Sequence, residues 1–130
     1  MVFFLENFFV LSNNKSMENV AKIDVESGAL TVAEALCKVE TELEILKLGN
    51  VKCAKIVHGY GSSGVGGDIK KGVLNLLKTL KKERKIEDFF ACEAFSFTGK
   101  TENFYLKNHP NLVVDQDLKT KNFGITIVFL

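Results

Sequence analysis

The chain has 130 residues and a mass of 14.5 kDa; 46% of the residues are apolar, 25% are charged, and the formal net charge is +1. A chain of this length buries about two thirds of its unfolded surface, enough for one hydrophobic core without disulfides or a structural metal. The apolar fraction excludes intrinsic disorder and the near-neutral balance excludes a wholesale polycation, so affinity for nucleic acid has to come from uneven placement of the 17 basic residues.

The first stretch, Val2 to Leu11, places four phenylalanines around a single charge, Glu6. It is about half the length of a membrane-spanning helix, and it lacks the leading positive charge and the small-residue cleavage site of a signal peptide. Residues 1–20 therefore read as an N-terminal extension, with Met17 a candidate start, and residues 21–130 as the folded domain. Cys37, Cys53 and Cys92 form no CxxC pair and their number is odd, which fits free thiols in a reducing cytoplasm. With only His58 and His109 as imidazole donors, the spacing does not suggest zinc.

Ala21 to Val25 alternates as a first strand and ends in a Glu26-Ser27-Gly28 turn. Thr31 to Glu34 is a capping box, in which hydroxyl and carboxylate satisfy each other's backbone N–H. Val32, Leu36, Val39, Leu43 and Leu46 continue as one helical stripe that Gly49 can end with positive φ. This region is acidic: seven carboxylates face three lysines between Met17 and Leu48, a net of −4. Val51 to His58 is a second strand, and it runs into five glycines within residues 59–67.

A second helix is expected from about Asp68, with Ile69, Val73, Leu76, Leu77 and Leu80 buried. Lys71, Lys78 and Lys82 fall opposite that stripe, with Lys70 and Lys81 flanking it. Seven basic residues against two acids between Val65 and Lys85 make a net of +5. A third strand is expected within Lys85 to Phe95, where Phe89 and Phe90 point to burial on both faces. Thr101 to Lys107 reads as one or two helical turns stopped at His109-Pro110, Asp115 to Asn122 as a polar loop, and Ile125 to Leu130 as a buried strand. This order predicts a two-layer α/β sandwich, a mixed four-stranded sheet with both main helices on one face.

The glycine loop is the most informative segment. A strand that ends in a histidine and passes through glycines into a helix start exposes backbone N–H groups and the positive end of a helix dipole, an anion site in outline. The Walker pattern fails because no lysine follows the glycines. Gly59 to Gly64 does satisfy GxGxxG, but it follows the second strand, and too few strands remain for a dinucleotide fold.

Ala54-Lys55-Ile56-Val57-His58-Gly59-Tyr60-Gly61, the basic helix after it, Leu30 to Leu36 and Gly124 to Val128 together resemble the Smr domain, the small MutS-related module, over residues 21–130. The resemblance implies a fold like the C-terminal domain of translation initiation factor three. It also implies nucleic-acid binding and, in some members, DNA-nicking or RNA-cleaving endonuclease activity. His58, Gly59 and Gly61 match the family's HGxG motif, and Lys70 matches a basic position entering the second helix. Asp24 matches the acid of the LDLHG motif, which here reads Ile23-Asp24-Val25-Glu26-Ser27. Glu26 in place of histidine removes a proton shuttle and adds a charge that repels phosphate.

The expected function is a cytoplasmic nucleic-acid-binding domain for DNA or RNA. Its binding residues are Gly59, Tyr60, Gly61, Ser62, Ser63, Gly64, Gly66, Gly67, Lys70 and Lys71. His58 and Asp24 are the catalytic candidates if it cleaves, with His58 orienting or protonating a phosphate oxygen. No cofactor is implied for binding, whereas a divalent cation such as magnesium would serve cleavage, and Asp115 and Asp117 are the carboxylates that could hold one. The alternative is a non-catalytic module that binds a protein or ribosomal surface through its oppositely charged helices.

Overall fold

The structure, a computed structural model, describes residues 20–60 and 65–130, and of 65 and 66 the backbone alone. The phenylalanine-rich stretch, Met17, and Gly61 to Gly64 lie outside the described residues. Four strands, β1 (Val20–Asp24), β2 (Cys53–Val57), β3 (Asp88–Ala91) and β4 (Ile125–Phe129), form one sheet in the order β1-β2-β4-β3. β1 and β2 are parallel, joined across helix α1 (Val32–Leu48), and β4 is antiparallel to both β2 and β3. The sheet is mixed, as the sequence predicts.

All five residues of β4 are buried, because it has a strand on each side and a layer on each face. That is why Ile125 to Phe129 reads as a continuous apolar run rather than an alternation. The pleat sorts the strands into two cores. On one face Ile23, Ala54, Ile56 and Val128 pack with Val39 and Leu43 of α1 and with Ile69, Val73, Leu77 and Leu80 of helix α2 (Val65–Lys82). Both long helices therefore share one face.

The opposite face is covered as well. Helix α3 (Lys100–Asn108), a 3-10 turn at Pro110–Val114 and the one-turn helix α4 (Gln116–Lys119) bring Tyr105, Leu112 and Leu118 onto Ile127 and Phe129, so the sandwich gains a thinner third layer. Tyr105 stacks on Phe129 at 4.0 Å between centroids, and Phe90 meets Phe95 edge-on at 5.3 Å. Phe89 joins the core under the long helices while Phe90 joins the other, the two-faced burial expected of adjacent strand residues.

The capping box forms as predicted: Glu34 N–H donates to Thr31 Oγ1 at 3.1 Å and Thr31 N–H to Glu34 Oε1 at 2.9 Å. Gly49 does not take positive φ. Its φ is −90°, and the left-handed residue is Asn50 at +63°, a side chain that tolerates that region. The third strand is shorter than Lys85 to Phe95, because Cys92–Ala94 turns as a 3-10 helix and swings Phe95 into the aromatic core. Asp115 to Asn122 is not all loop: Asp115 accepts from Leu118 N–H at 3.1 Å and caps α4. Helix α2 starts at Val65 rather than Asp68, so Gly66 and Gly67 belong to its first turn. No helix among the described residues is long and apolar enough to cross a membrane.

Candidate nucleic-acid interface

The centre of the site is a contact between two glycines. Where β2 ends, the N–H groups of His58 and Gly59 both donate to the carbonyl of Gly124, at 2.9 and 3.0 Å. Gly59 has φ +74°, and a Cβ there would fall 2.8 Å from Glu26 Oε2; a Cβ on Gly124 would fall 3.2 Å from the Gly59 Cα. Positive φ favours glycine at Gly59, and at Gly124 a side chain would press on the Gly59 backbone. The chain next presents Tyr60, which is 62% exposed, and continues through Gly61, Ser62, Ser63 and Gly64, outside the described residues, into α2.

His58 is fully buried. Its Nδ1 lies 2.6 Å from the Gly59 carbonyl and its Nε2 2.8 Å from Thr126 Oγ1. A carbonyl only accepts, so in the neutral ring Nδ1 carries the proton and Nε2 accepts from the Thr126 hydroxyl. Burial pushes the imidazole below its ordinary value of 6.5; the Gly59 carbonyl opposes this, the Lys70 charge adds to it, and Glu93 offsets part of it. The ring that sequence alone offers as a proton donor to phosphate is thus sealed inside the fold, both nitrogens occupied.

Asp24 and His58 lie on neighbouring strand ends, but among the described residues no hydrogen bond joins their side chains. Asp24 pairs in register with Val57, and its carboxylate accepts from Glu26 N–H at 2.9 Å, Ser27 N–H at 3.1 Å and the Ser27 hydroxyl at 2.6 Å. The Ser27 hydroxyl and backbone bonds hold its carboxyl below the usual value. This is a turn-closing aspartate. Glu26, one residue after Val25, lays its own carboxylate against Gly59.

Lys70 is engaged rather than free. Its ammonium lies 2.7 Å from Glu93 Oε2, donates to the Phe123 carbonyl at 2.8 Å, and sits 5.2 Å from the centroid of the Phe123 ring. Glu93 Oε1 is buried without a hydrogen-bond partner among the described residues. Lys71 is exposed, as are Lys78 and Lys82; steps of seven and four residues put the three on one face of α2, and no ion pair occupies them among the described residues. Among the described residues of α2, the unpaired positive charge is therefore the outer stripe, not the entry lysine.

Asp115 and Asp117 clamp Lys55 of β2, at 2.7 and 2.8 Å. An ammonium between the two carboxylates occupies the place a divalent ion would need, so these donors do not fit magnesium. Burial draws the Lys55 ammonium down, but the hydrogen bonds it donates to Asp115 and Asp117, with their charges, outweigh this and leave it raised. No three His, Cys, Asp or Glu side chains converge among the described residues.

Three participants escape a reading of the sequence. Thr126 is the one hydroxyl in the apolar ITIVF run, and that oddity is a usable signal. Phe123 adjoins the glycine before that run, and it stays 57% exposed in the structure. Glu93 carries no local signal, since its partner Lys70 lies 23 residues away.

No protein-family model matches the sequence, and no curated protein matches it. Among solved structures, the chain is similar to the crystal structure of the Smr domain of Thermus thermophilus MutS2, with a TM-score of 0.50 and 22% identity over 85% of this chain and 98% of that one. The sheet and the two long helices thus sit in a known arrangement, and the chain carries the fold of an Smr domain.

Proposed function

We propose that this domain binds nucleic acid through the outer face of α2 and the glycine loop that precedes it. The observation that carries the reading is the stripe of Lys71, Lys78 and Lys82, exposed and unpaired among the described residues, on the helix that follows the Gly59 contact with Gly124. Lysines that neutralise phosphates release counterions and contribute affinity with little sequence information. The resemblance to the Smr family in the HGxG segment points the same way.

In this reading His58 is a positioning residue. Its two hydrogen bonds pin the loop to β4 through Thr126 and to its own turn through Gly59. Glu26 sets a negative charge beside the loop, which weakens phosphate binding there and supports binding without cleavage. Labelled single- and double-stranded RNA and DNA titrated at low salt test the proposal. Binding to at least one of them, weakened at least tenfold in a Lys71→Glu/Lys78→Glu variant, is expected. No binding at low salt, or an affinity that does not change between low and moderate salt, favours a protein or ribosomal surface as the partner instead.

A further inference from the structure

Two exposed aromatic rings flank the glycine contact. Tyr60 follows Gly59 and Phe123 precedes Gly124, and the two backbones meet where Gly59 N–H donates to Gly124 O at 3.0 Å. Tyr60 is 62% and Phe123 57% exposed, whereas Phe95 and Phe129 are fully buried and Tyr105 nearly so. The Lys70 ammonium lies 5.2 Å from the centroid of the Phe123 ring, and that lysine is itself held by Glu93 and the Phe123 carbonyl. An exposed ring alone means little on a protein surface. Two exposed rings carried by residues next to the Gly59–Gly124 backbone contact, one of them beside Lys70 of the basic helix, form a different arrangement.

We infer that Tyr60 and Phe123 form a stacking platform that selects single-stranded over double-stranded nucleic acid. The inference rests on the nucleic-acid reading above and specifies the substrate of that same site. In a duplex the faces of the bases are covered by their neighbours; in a single strand they are free to stack on a side chain, and every base has such a face. The lysine stripe attracts either form, because both carry phosphates. Discrimination between them therefore belongs to the rings, and sequence preference is weak.

The test uses the full chain with a labelled 12-nucleotide strand, as RNA and as DNA, and with the matching duplexes. The protein has no tryptophan and two tyrosines, Tyr60 and the buried Tyr105, so comparison with Tyr60→Phe isolates the emission of Tyr60. Wild type is expected to bind the single strands more tightly than the duplexes, with quenching of tyrosine emission. Tyr60→Ala and Phe123→Ala each lower single-strand affinity by about tenfold and change duplex affinity by less than about twofold. Tyr60→Phe keeps the affinity and loses the quenching. Phe123→Ala leaves the backbone carbonyl that Lys70 binds, and a thermal midpoint within a few degrees of wild type confirms that it folds. Equal losses for both substrate forms, or no loss in either alanine variant, overturn the inference while leaving the binding reading intact. Absence of binding by wild type to every substrate overturns both.

Discussion

His58 ties stability to pH. Its folded-state pKa is held below 6.5, so the neutral ring is favoured in the native protein, and stability is fully present above that value. As pH falls below 6.5 the unfolded chain takes up a proton that the native state resists, and stability declines until the buried ring itself protonates. Urea midpoints between pH 7.5 and 5 are expected to fall with pH, and His58→Gln is expected to flatten that slope even if it lowers the midpoint overall. Asp24 and Asp117 are held below 3.8, so their contributions are lost only at more acidic pH and do not overlap this window. Thr126→Val leaves Nε2 of a buried ring without its partner and costs about 1–3 kcal/mol, read as a shift in the same midpoint. A flat profile in wild type would contradict the assignment of a buried neutral imidazole. Glu26→Gln, by contrast, removes the carboxylate beside Gly59 and is expected to raise affinity for nucleic acid several-fold at low salt, with the gain vanishing at high salt.

At the scale of elements, α1 was legible because its signals are local. Thr31 and Glu34 cap each other, and Val39, Leu43 and Leu46 are buried where the stripe puts them. Thr31→Ala removes that cap and is expected to cost about 1 kcal/mol by thermal or urea unfolding. The run of Ile125 to Phe129 was legible for a similar reason: only a strand covered on both faces can be so continuously apolar. The stretch of Asp115 to Asn122 was not, since its single helical turn depends on the Asp115 cap and on Lys55, a strand residue roughly 60 positions earlier in the chain. Breaking that clamp with Lys55→Ala leaves two partly buried carboxylates facing each other. A loss of about 3 kcal/mol, at the low end for buried pairs, is expected, and less than about 0.5 kcal/mol would show that the clamp is dispensable. The site divides in the same way. Its glycines and its basic helix were visible as local composition, while the bonds that set their roles, His58 to Thr126 and Lys70 to Glu93, join residues 68 and 23 positions apart.

Across the whole molecule, a total charge of +1 conceals a strong separation between neighbouring helices. The acidic region around α1 and the basic α2 pack side by side on one face of the sheet, so the negative helix bounds the positive surface on one flank. Under the proposed function, a nucleic-acid strand would be steered along α2 and away from α1. The proposed binding surface would then lie at one edge of the helical layer, and the aromatic core under α3 would serve stability. The most direct test is the dependence of single-strand affinity on salt. If three lysines each neutralise a phosphate, the logarithm of the binding constant falls against the logarithm of salt concentration with a slope of about −2, and each lysine replaced by alanine reduces that slope by about 0.7. A slope near zero, or one unchanged when Lys71, Lys78 and Lys82 are removed, would contradict the account.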